Sequence, residues 1–226
     1  MQMQDYITKY DHLASEDAYF NIPHRKEYLL EQIGRGKRVL DVGCLGGQIS
    51  RLIMDQNNEV WGVEINPVAA EVARKRGIRV KVANVEEGLP FEDGSFDVVH
   101  AGELVEYLYD TKLFFTECRR VLKPGGMLLF TTPNLNSLEN RVRVVLGGYL
   151  SMAGAYPEDH FGSQVRVFNL RKVRELCRQT GFDLEEVRGV FTLEQHSKWV
   201  DAPLELAARM APTFSKLLVV KAKSRG

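Results

Sequence analysis

Strand and helix patterns alternate along this chain. The alternation predicts an α/β fold: a seven-stranded, mostly parallel sheet with helices on both faces, the last strand antiparallel, and a small cap inserted after strand five. Three observations carry the prediction. Short runs rich in apolar and β-branched residues (RVLDV, EVWGVEI, IRVKVA, FDVVHA, MLLFTT) recur, most of them separated by stretches of helical periodicity. The first run breaks on Gly43, Gly46 and Gly47 and re-enters as an apolar helical pattern at Ile49, Leu52 and Ile53. Only a short segment, with a helical part at Leu204 to Met210, parts the last two runs, FDLEEVRGVF and KLLVVKAK, which makes the final strand antiparallel.

Each element has a local reason. HRKEYLLEQIG places Tyr28, Leu29 and Ile33 on one helical side and stops at Gly34. The first strand is Arg38 to Val42, and a helix follows from about Gly47 to Gln56. The second strand, Glu59 to Ile65, runs into Asn66-Pro67, a good N-cap followed by a proline where no donor is needed. That helix ends at Gly77, and the third strand is Ile78 to Ala83. The turn-rich EEGLPFEDGS leads to the fourth strand, Phe96 to Ala101. Asp110 caps a helix to about Leu122, stopped by Lys123-Pro124-Gly125-Gly126, and the fifth strand starts at Met127. Asn169 caps the helix LRKVRELCRQT, which ends at Gly181.

The whole chain, 1–226, reads as a single domain. Residues 1–36 form an N-terminal cover and first helix, with Tyr6, Tyr10, Tyr19 and Phe20 as candidates to close over a ligand. Residues 134–168 form a cap or substrate lid, because an insertion after strand five lies at the carboxyl edge of the sheet. The 30 basic residues balance the 30 acidic ones, which argues against a nucleic-acid partner. No apolar run approaches the ~20 residues of a membrane span, and the polar N-terminus lacks a signal-peptide pattern. Cys44, Cys118 and Cys177 stand far apart with no metal-ligand spacing, so reduced thiols in a cytoplasmic protein without a metal are expected.

The glycines after the first strand permit a sharp turn and close approach of a ligand to the backbone. Gly43, Gly46 and Gly47 do not match the G-x-G-x-x-G of a dinucleotide site, and Leu45 stands where a pyrophosphate would pass, which counts against an NAD-dependent oxidoreductase. An acid, Asp41, lies two residues before the first glycine and suits a ligand with a positive end. Glu64, at the end of the second strand, can accept both hydroxyls of a ribose. Asn84, after the third, can offer its oxygen to an exocyclic amine. Together these describe an adenosine with a cationic amino-acid tail, which is S-adenosylmethionine (SAM).

The segments VLDVGCLGG, VWGVEIN, NVEEGLPFEDGSFDVV, ECRRVLKPGGMLLFTTPN and VRVFNLRKVRELCRQTGF, spanning Arg38 to Phe182, resemble the class I SAM-dependent methyltransferases. Within that class the likeness is to the branch of small-molecule enzymes similar to the ubiquinone and menaquinone biosynthesis methyltransferases; VWGVEINP and TTPNLNSLENRVRVVLGG also look like the methionine-biosynthesis protein of the MetW type. The resemblance implies a Rossmann-like sheet, SAM as cofactor with S-adenosylhomocysteine as product, no metal, and methyl transfer to a small-molecule acceptor, an oxygen acceptor being favoured by analogy. It puts Asp41, Gly43, Cys44 and Gly47 on the first motif, Glu64 and Ile65 at ribose and adenine, Asn84 and Val85 at the adenine, and Ala101 and Gly102 beside the methionine amino group. Leu45 replaces a frequent glycine, and Asn84 stands where an aspartate is usual.

Candidate catalytic residues are Glu103 and Tyr107 after the fourth strand and His160 in the cap. Tyr107 stands where relatives often carry a histidine base, a role that a phenol with reference pKa ~10 fills poorly. If AGELVEYLYD is helical, Glu103 and Glu106 share one face, with Glu106 read as a solvated charge. His12, His24, Arg25, His196, Arg141 and Arg143 are weaker candidates, and the cluster Arg119, Arg120 and Lys123 reads as structural. A second reading is a methyltransferase-like, MetW-like SAM-binding regulatory protein with little turnover, whose partner would be a biosynthetic enzyme; a homodimer is the other protein partner considered.

Overall fold

The computed structural model describes residues 23–148, 150, 164–190 and 210–225. In chain order the described elements are α1 (Pro23–Ile33), β1 (Arg38–Val42), α2 (Gln48–Met54), β2 (Glu59–Glu64), α3 (Pro67–Lys75), β3 (Arg79–Val82), β4 (Phe96–Gly102), α4 (Thr111–Val121), β5 (Leu122–Pro133), α5 (Leu138–Val145), α6 (Leu170–Gln179), β6 (Phe182–Val190) and β7 (Leu217–Ser224). They build one seven-stranded sheet in the order β3-β2-β1-β4-β5-β7-β6. β7 runs antiparallel to both β5 and β6, as the sequence predicts, and the pairings among β1 to β5 are parallel.

Strand order reverses at β1. The chain moves from β1 outward to β2 and β3, then returns to lay β4 and β5 on the other side. At such a reversal the crossover helices diverge to opposite faces and leave a crevice at the carboxyl ends of β1 and β4. The two strands are in register there, with Asp41 opposite His100 and Val42 opposite Ala101.

Both faces of the sheet are covered, which explains why its central strands read as continuous apolar runs rather than alternating ones. One face packs Tyr28, Leu29 and Ile33 of α1 on Val39, Val98, Leu129 and Val219. The other packs α4 and α6 on the sheet through Phe115, whose ring meets Phe114, Phe130 and Phe182 edge-on at 5.1–6.2 Å between centroids. Fully burying one such side chain contributes about 1.5–3 kcal/mol.

The caps form where the sequence places them. The Asn66 side chain accepts from the backbone N–H groups of Val68 and Ala69 ahead of α3. Asp110 accepts from Leu113 N, and Asn169 from Lys172 N. The fifth strand differs from expectation, because pairing with β4 already begins at Leu122. The register then shifts between Phe96 and Val98, so that Lys123 to Gly126 bulge out before Val98 pairs Met127. A side chain on Gly126 would start 2.9 Å from the Lys123 carbonyl, which shows how tightly the bulge folds back.

The segment that follows β5 leaves the sheet and rejoins it at one point. Asn134 bridges Phe168, the Leu135 N–H donates to the Phe168 carbonyl at 2.8 Å, and the Asn134 amide donates to the carbonyls of Thr213 and Ser215. His12, His160 and His196, the N-terminal aromatics, and all of the predicted Leu204–Met210 helix except Met210 lie outside the described residues, and the side chains of His24 and Arg25 do too.

Candidate functional site

The turn after β1 is the floor of the crevice. Gly43, Leu45 and Gly47 all have positive φ, at 72°, 46° and 78°. A leucine in this left-handed region is strained by roughly 1–2 kcal/mol. Its compensation is visible: the Leu45 N–H donates to Glu64 Oε2 at 2.9 Å. The backbone N–H groups of Gly43 and Cys44 donate to the Val63 carbonyl, and the Arg76 guanidinium donates to the Gly46 carbonyl. The turn is therefore tied to the end of β2 and to the residue that follows α3. Gly47 is the residue that lets α2 approach α3, since a Cβ there would sit 2.9 Å from Ala73 Cβ.

Glu64 is 4% exposed, and its second oxygen accepts from the Asn66 N–H at 2.9 Å. Burial pushes its carboxyl up, while the N–H groups of Asn66, Leu45 and Ile65 pull the other way. Each carboxylate oxygen carries two lone pairs, so these donors do not exhaust its capacity to accept. Cys44 turns its thiol inward. It fills the space that Gly62 of β2 leaves open, where a Cβ would lie 2.6 Å from Sγ. Burial, with Asp41 and Glu64 nearby, raises that thiol well above its ordinary range, so it is inert packing.

Asp41 is as deeply buried and is bonded at both oxygens. Its Oδ1 lies 2.7 Å from His100 Nδ1, and its Oδ2 accepts from the Ser50 hydroxyl of α2. The sequence reading missed His100. The signal was a lone imidazole inside the buried strand FDVVHA, but its meaning depends on the β1–β4 register, which the sequence does not reveal.

After β3, the Asn84 side-chain oxygen accepts from the Glu86 N–H at 3.1 Å and its amide nitrogen donates to Glu87 at 3.0 Å. It caps a short 3-10 turn, Val85–Glu87, in which Val85 is buried. Ile65 is half-buried, Ala101 is buried, and Gly102 is exposed at the end of β4. The ten predicted cofactor residues thus gather at the carboxyl ends of four adjacent strands, in the order β3, β2, β1, β4.

The β4 exit carries the catalytic candidates. Glu103 is left-handed, with φ 48°, and its N–H is held by the hydroxyl of Thr131 at 3.0 Å and the carbonyl of the same residue at 3.1 Å. Only Val105–Tyr107 forms a 3-10 turn, so Glu103 and Glu106 do not share a helix face. Glu106 is 1% exposed rather than solvated. Its Oε2 accepts from the Thr132 hydroxyl at 3.4 Å, while Oε1 has no partner and the residue lines a cleft with Pro133, Asn134, Gln164 and Arg166. Burial and the neighbouring Glu103 push its carboxyl well above the usual range. The Glu106 carbonyl accepts from the N–H groups of Val165 and Arg166, tying the returning limb of the cap to the β4 exit. Tyr107 is half-buried in the same turn.

The basic candidates are structural. Arg120 binds Glu117, Asp93 and the carbonyls of Leu89 and Phe91, and Lys123 binds Asp97. Arg141 donates to the Asn136 carbonyl and lies over the Phe214 ring, and Arg143 pairs with Glu139. Among the described residues no three His, Cys, Asp or Glu side chains converge to hold a metal, and no helix is long and apolar enough to cross a membrane.

The chain is similar to known proteins. A family model described as a methyltransferase domain matches residues 40–130. A protein of Mycolicibacterium smegmatis named as an S-adenosylmethionine-dependent methyltransferase is 33% identical over 184 residues, covering 79% of this chain and 65% of the relative. A ubiquinone biosynthesis O-methyltransferase of Xanthomonas euvesicatoria is 30% identical over 175 residues, covering 74% and 72%. The chain thus spans about two thirds of the length of these relatives. Among solved structures, a methyltransferase in complex with the Haloferax volcanii Trm112 methyltransferase activator superposes with a TM-score of 0.70 at 19% identity, covering 98% of both chains, a likeness of fold.

Proposed function

The chain belongs to the SAM-dependent methyltransferases, and from that premise we propose that it binds SAM across the carboxyl ends of β3, β2, β1 and β4 and methylates a small molecule, an oxygen acceptor before a nitrogen or carbon one. The observation that carries the proposal is Glu64: a buried carboxylate, fixed by two backbone N–H groups, standing between the β1 turn and α3. Those bonds orient the carboxylate before any ligand arrives and leave it acceptor capacity toward a ribose hydroxyl.

When bound, SAM supplies a methyl already activated by its sulfonium. The chain's own work is alignment and exclusion of water. The glycine turn and Glu64 would hold the nucleoside. Gly43 sits against Leu104, where a Cβ would be 3.2 Å from Leu104 Cδ1, so the β1 and β4 exits close on one another beneath the ligand. On the acceptor side, Glu103 is the group to take a hydroxyl proton, held at the strand end by Thr131. Glu106, raised by burial and by the neighbouring Glu103, is a second candidate to exchange a proton with the acceptor.

Calorimetric titration with SAM and, separately, with NAD tests this. Saturable SAM binding and no NAD binding are expected. Glu64→Ala removes hydrogen bonds to a charged group worth about 1.5–3 kcal/mol each, so SAM affinity drops about tenfold to 150-fold or more. Glu103→Gln leaves SAM affinity within about twofold of the intact chain while lowering kcat for a hydroxyl acceptor by on the order of 10²-fold; equal loss in both would remove Glu103 from the acceptor side. The regulatory reading is favoured by one feature, the apolar residues that α5 and its C-cap leave exposed at Val142, Val144, Val145 and Leu146. SAM binding without turnover across hydroxyl, amine and carbon acceptors would select that reading.

A further inference from the structure

Helices α3, α4, α5 and α6 each start on a side chain that accepts from their first turn: Asn66, Asp110, Ser137 and Asn169. Helix α2 does not. Its N-cap is Gly47, at φ 78°, with no side-chain bond to the helix. Gly46 precedes Gly47, and two glycines in succession make the loosest joint a chain can have. Yet this joint belongs to the turn that floors the crevice. What fixes it has to come from elsewhere in the fold.

The Gly47 carbonyl accepts from the Arg51 N–H at 2.9 Å and so opens the ladder of α2. The Gly46 carbonyl stands one peptide earlier, outside that ladder, on a buried residue. A buried carbonyl needs a donor. The Arg76 guanidinium supplies one from 30 residues further along the chain. The N–H of the same peptide, on Gly47, donates to the Cys44 carbonyl at 2.8 Å. Both polar ends of the Gly46–Gly47 peptide are therefore held, and its plane cannot turn without breaking a bond.

Arg76 is itself well anchored. Its N–H bonds back to the carbonyls of Val72 and Ala73 at the end of α3. Its carbonyl accepts from the Arg51 guanidinium of α2 at 3.3 Å. Guanidinium meets carbonyl twice, in opposite directions, between the end of α3 and the glycine joint with its helix. Ala73 and Ile78, on either side of Arg76, approach to 2.9 and 3.3 Å of the point where a side chain on Gly47 would begin. Upstream, the Leu45 N–H is fixed by Glu64. A bond from a charged donor is roughly twice as strong as a neutral one, which suits Arg76 to a joint that no cap secures.

We propose that Arg76 is a positioning residue for the cofactor: by gripping the Gly46 carbonyl it replaces the missing helix cap and holds the glycine turn in the shape that receives SAM. It acts through the turn, not by touching the ligand. Without the guanidinium the joint samples other shapes, and the apparent affinity falls by the fraction that stays competent. The inference rests on the SAM reading above.

The test is calorimetry with S-adenosylhomocysteine on the intact chain and on Arg76→Met, Arg76→Lys and Arg74→Met. Arg74 lies on the same helix and donates to the Val80 carbonyl at 2.8 Å, so its loss removes a similar bond away from the turn. Arg76→Met weakens binding on the order of tenfold, as expected for one hydrogen bond from a charged group. Arg76→Lys, which still offers a cationic donor, binds within about threefold of the intact chain. Arg74→Met stays within about twofold, although its melting temperature falls as far as that of Arg76→Met. Equal losses of affinity in the two methionine variants, no loss in Arg76→Met, or a lysine variant no better than the methionine one overturns the proposal. Failure of the intact chain to bind S-adenosylhomocysteine overturns the SAM reading instead. Should Arg76→Met not fold, the intact chain decides, because a grip that favours the ligand is favoured by it in return. Exchange of the Arg76 guanidinium protons with water then slows on adding S-adenosylhomocysteine while that of Arg74 keeps its rate, and an unchanged Arg76 rate sinks the assignment.

Discussion

Leu45 shows how one residue departs from its expected type and is held there. Its φ of 46° is a glycine conformation, and its N–H is drawn to Glu64. Truncating a half-buried leucine ordinarily destabilises, yet glycine here also relieves roughly 1–2 kcal/mol of left-handed strain. Leu45→Gly is therefore expected to unfold in urea within about 1 kcal/mol of the parent, after allowing about 0.5–1 kcal/mol for the greater freedom of glycine in the unfolded chain. Leu45→Val retains more side-chain volume but is β-branched, which the left-handed region tolerates badly, and it should be the less stable of the two. A urea series in which the valine variant is the more stable would show that packing, not backbone strain, governs this position.

At the scale of elements, the junction of α2 with α3 depends on Gly47. A Cβ there would lie 2.9 Å from Ala73 Cβ, 3.1 Å from Ala73 Cα and 3.3 Å from Ile78, with φ at 78°. Gly34 has nearly the same φ, 73°, but open space around it. Gly47→Ala should destabilise by about 2–4 kcal/mol, the sum of strain and overpacking, and Gly34→Ala by about 1–2 kcal/mol from strain alone. Thermal unfolding of the pair separates the two effects, and equal losses would mean the α2–α3 contact gives way freely. These same elements show what the sequence made legible. The caps at Asn66, Asp110 and Asn169 were readable because a cap acts on the next two or three residues. That the predicted cofactor residues meet at one edge of the sheet was readable because each lies at or just past the end of its own strand. The Asp41–His100 pair was not, because it joins residues 59 apart through a strand register that no local pattern encodes. Burial of Glu106 was hidden for the same reason, since it depends on Thr132 and on the returning limb of the cap at Val165. The early start of β5 was masked by the bulge at Lys123 to Gly126, whose glycines read as a plain stop.

Across the whole molecule, two kinds of carboxylate oppose one another in pH. Glu117 is held below its ordinary value by the Arg120 guanidinium, and Asp97, despite partial burial, by Lys123 and the Arg38 N–H. Their stabilisation is present above the unfolded carboxylate pKa of about 4 and is lost as pH falls through their lower folded values. Glu106 and Glu64 act in the reverse sense. Burial raises both, so the folded state holds their protons more tightly than the unfolded chain. Their contribution is complete below about pH 4 and is lost as pH rises through their folded values. The melting temperature should accordingly peak on the acid side of neutrality and decline toward pH 8. Glu106→Gln keeps a neutral, hydrogen-bonding side chain in the cleft and removes the titration. It should match the parent at acid pH, exceed it at pH 8, and flatten the alkaline decline. Parallel curves for parent and variant between pH 5 and 8 would mean that Glu106 is already ionised in the folded protein. The same measurement bears on function, because Glu106 can receive an acceptor's proton only after losing its own, above its raised folded pKa, where the fold gives up stability to ionise it.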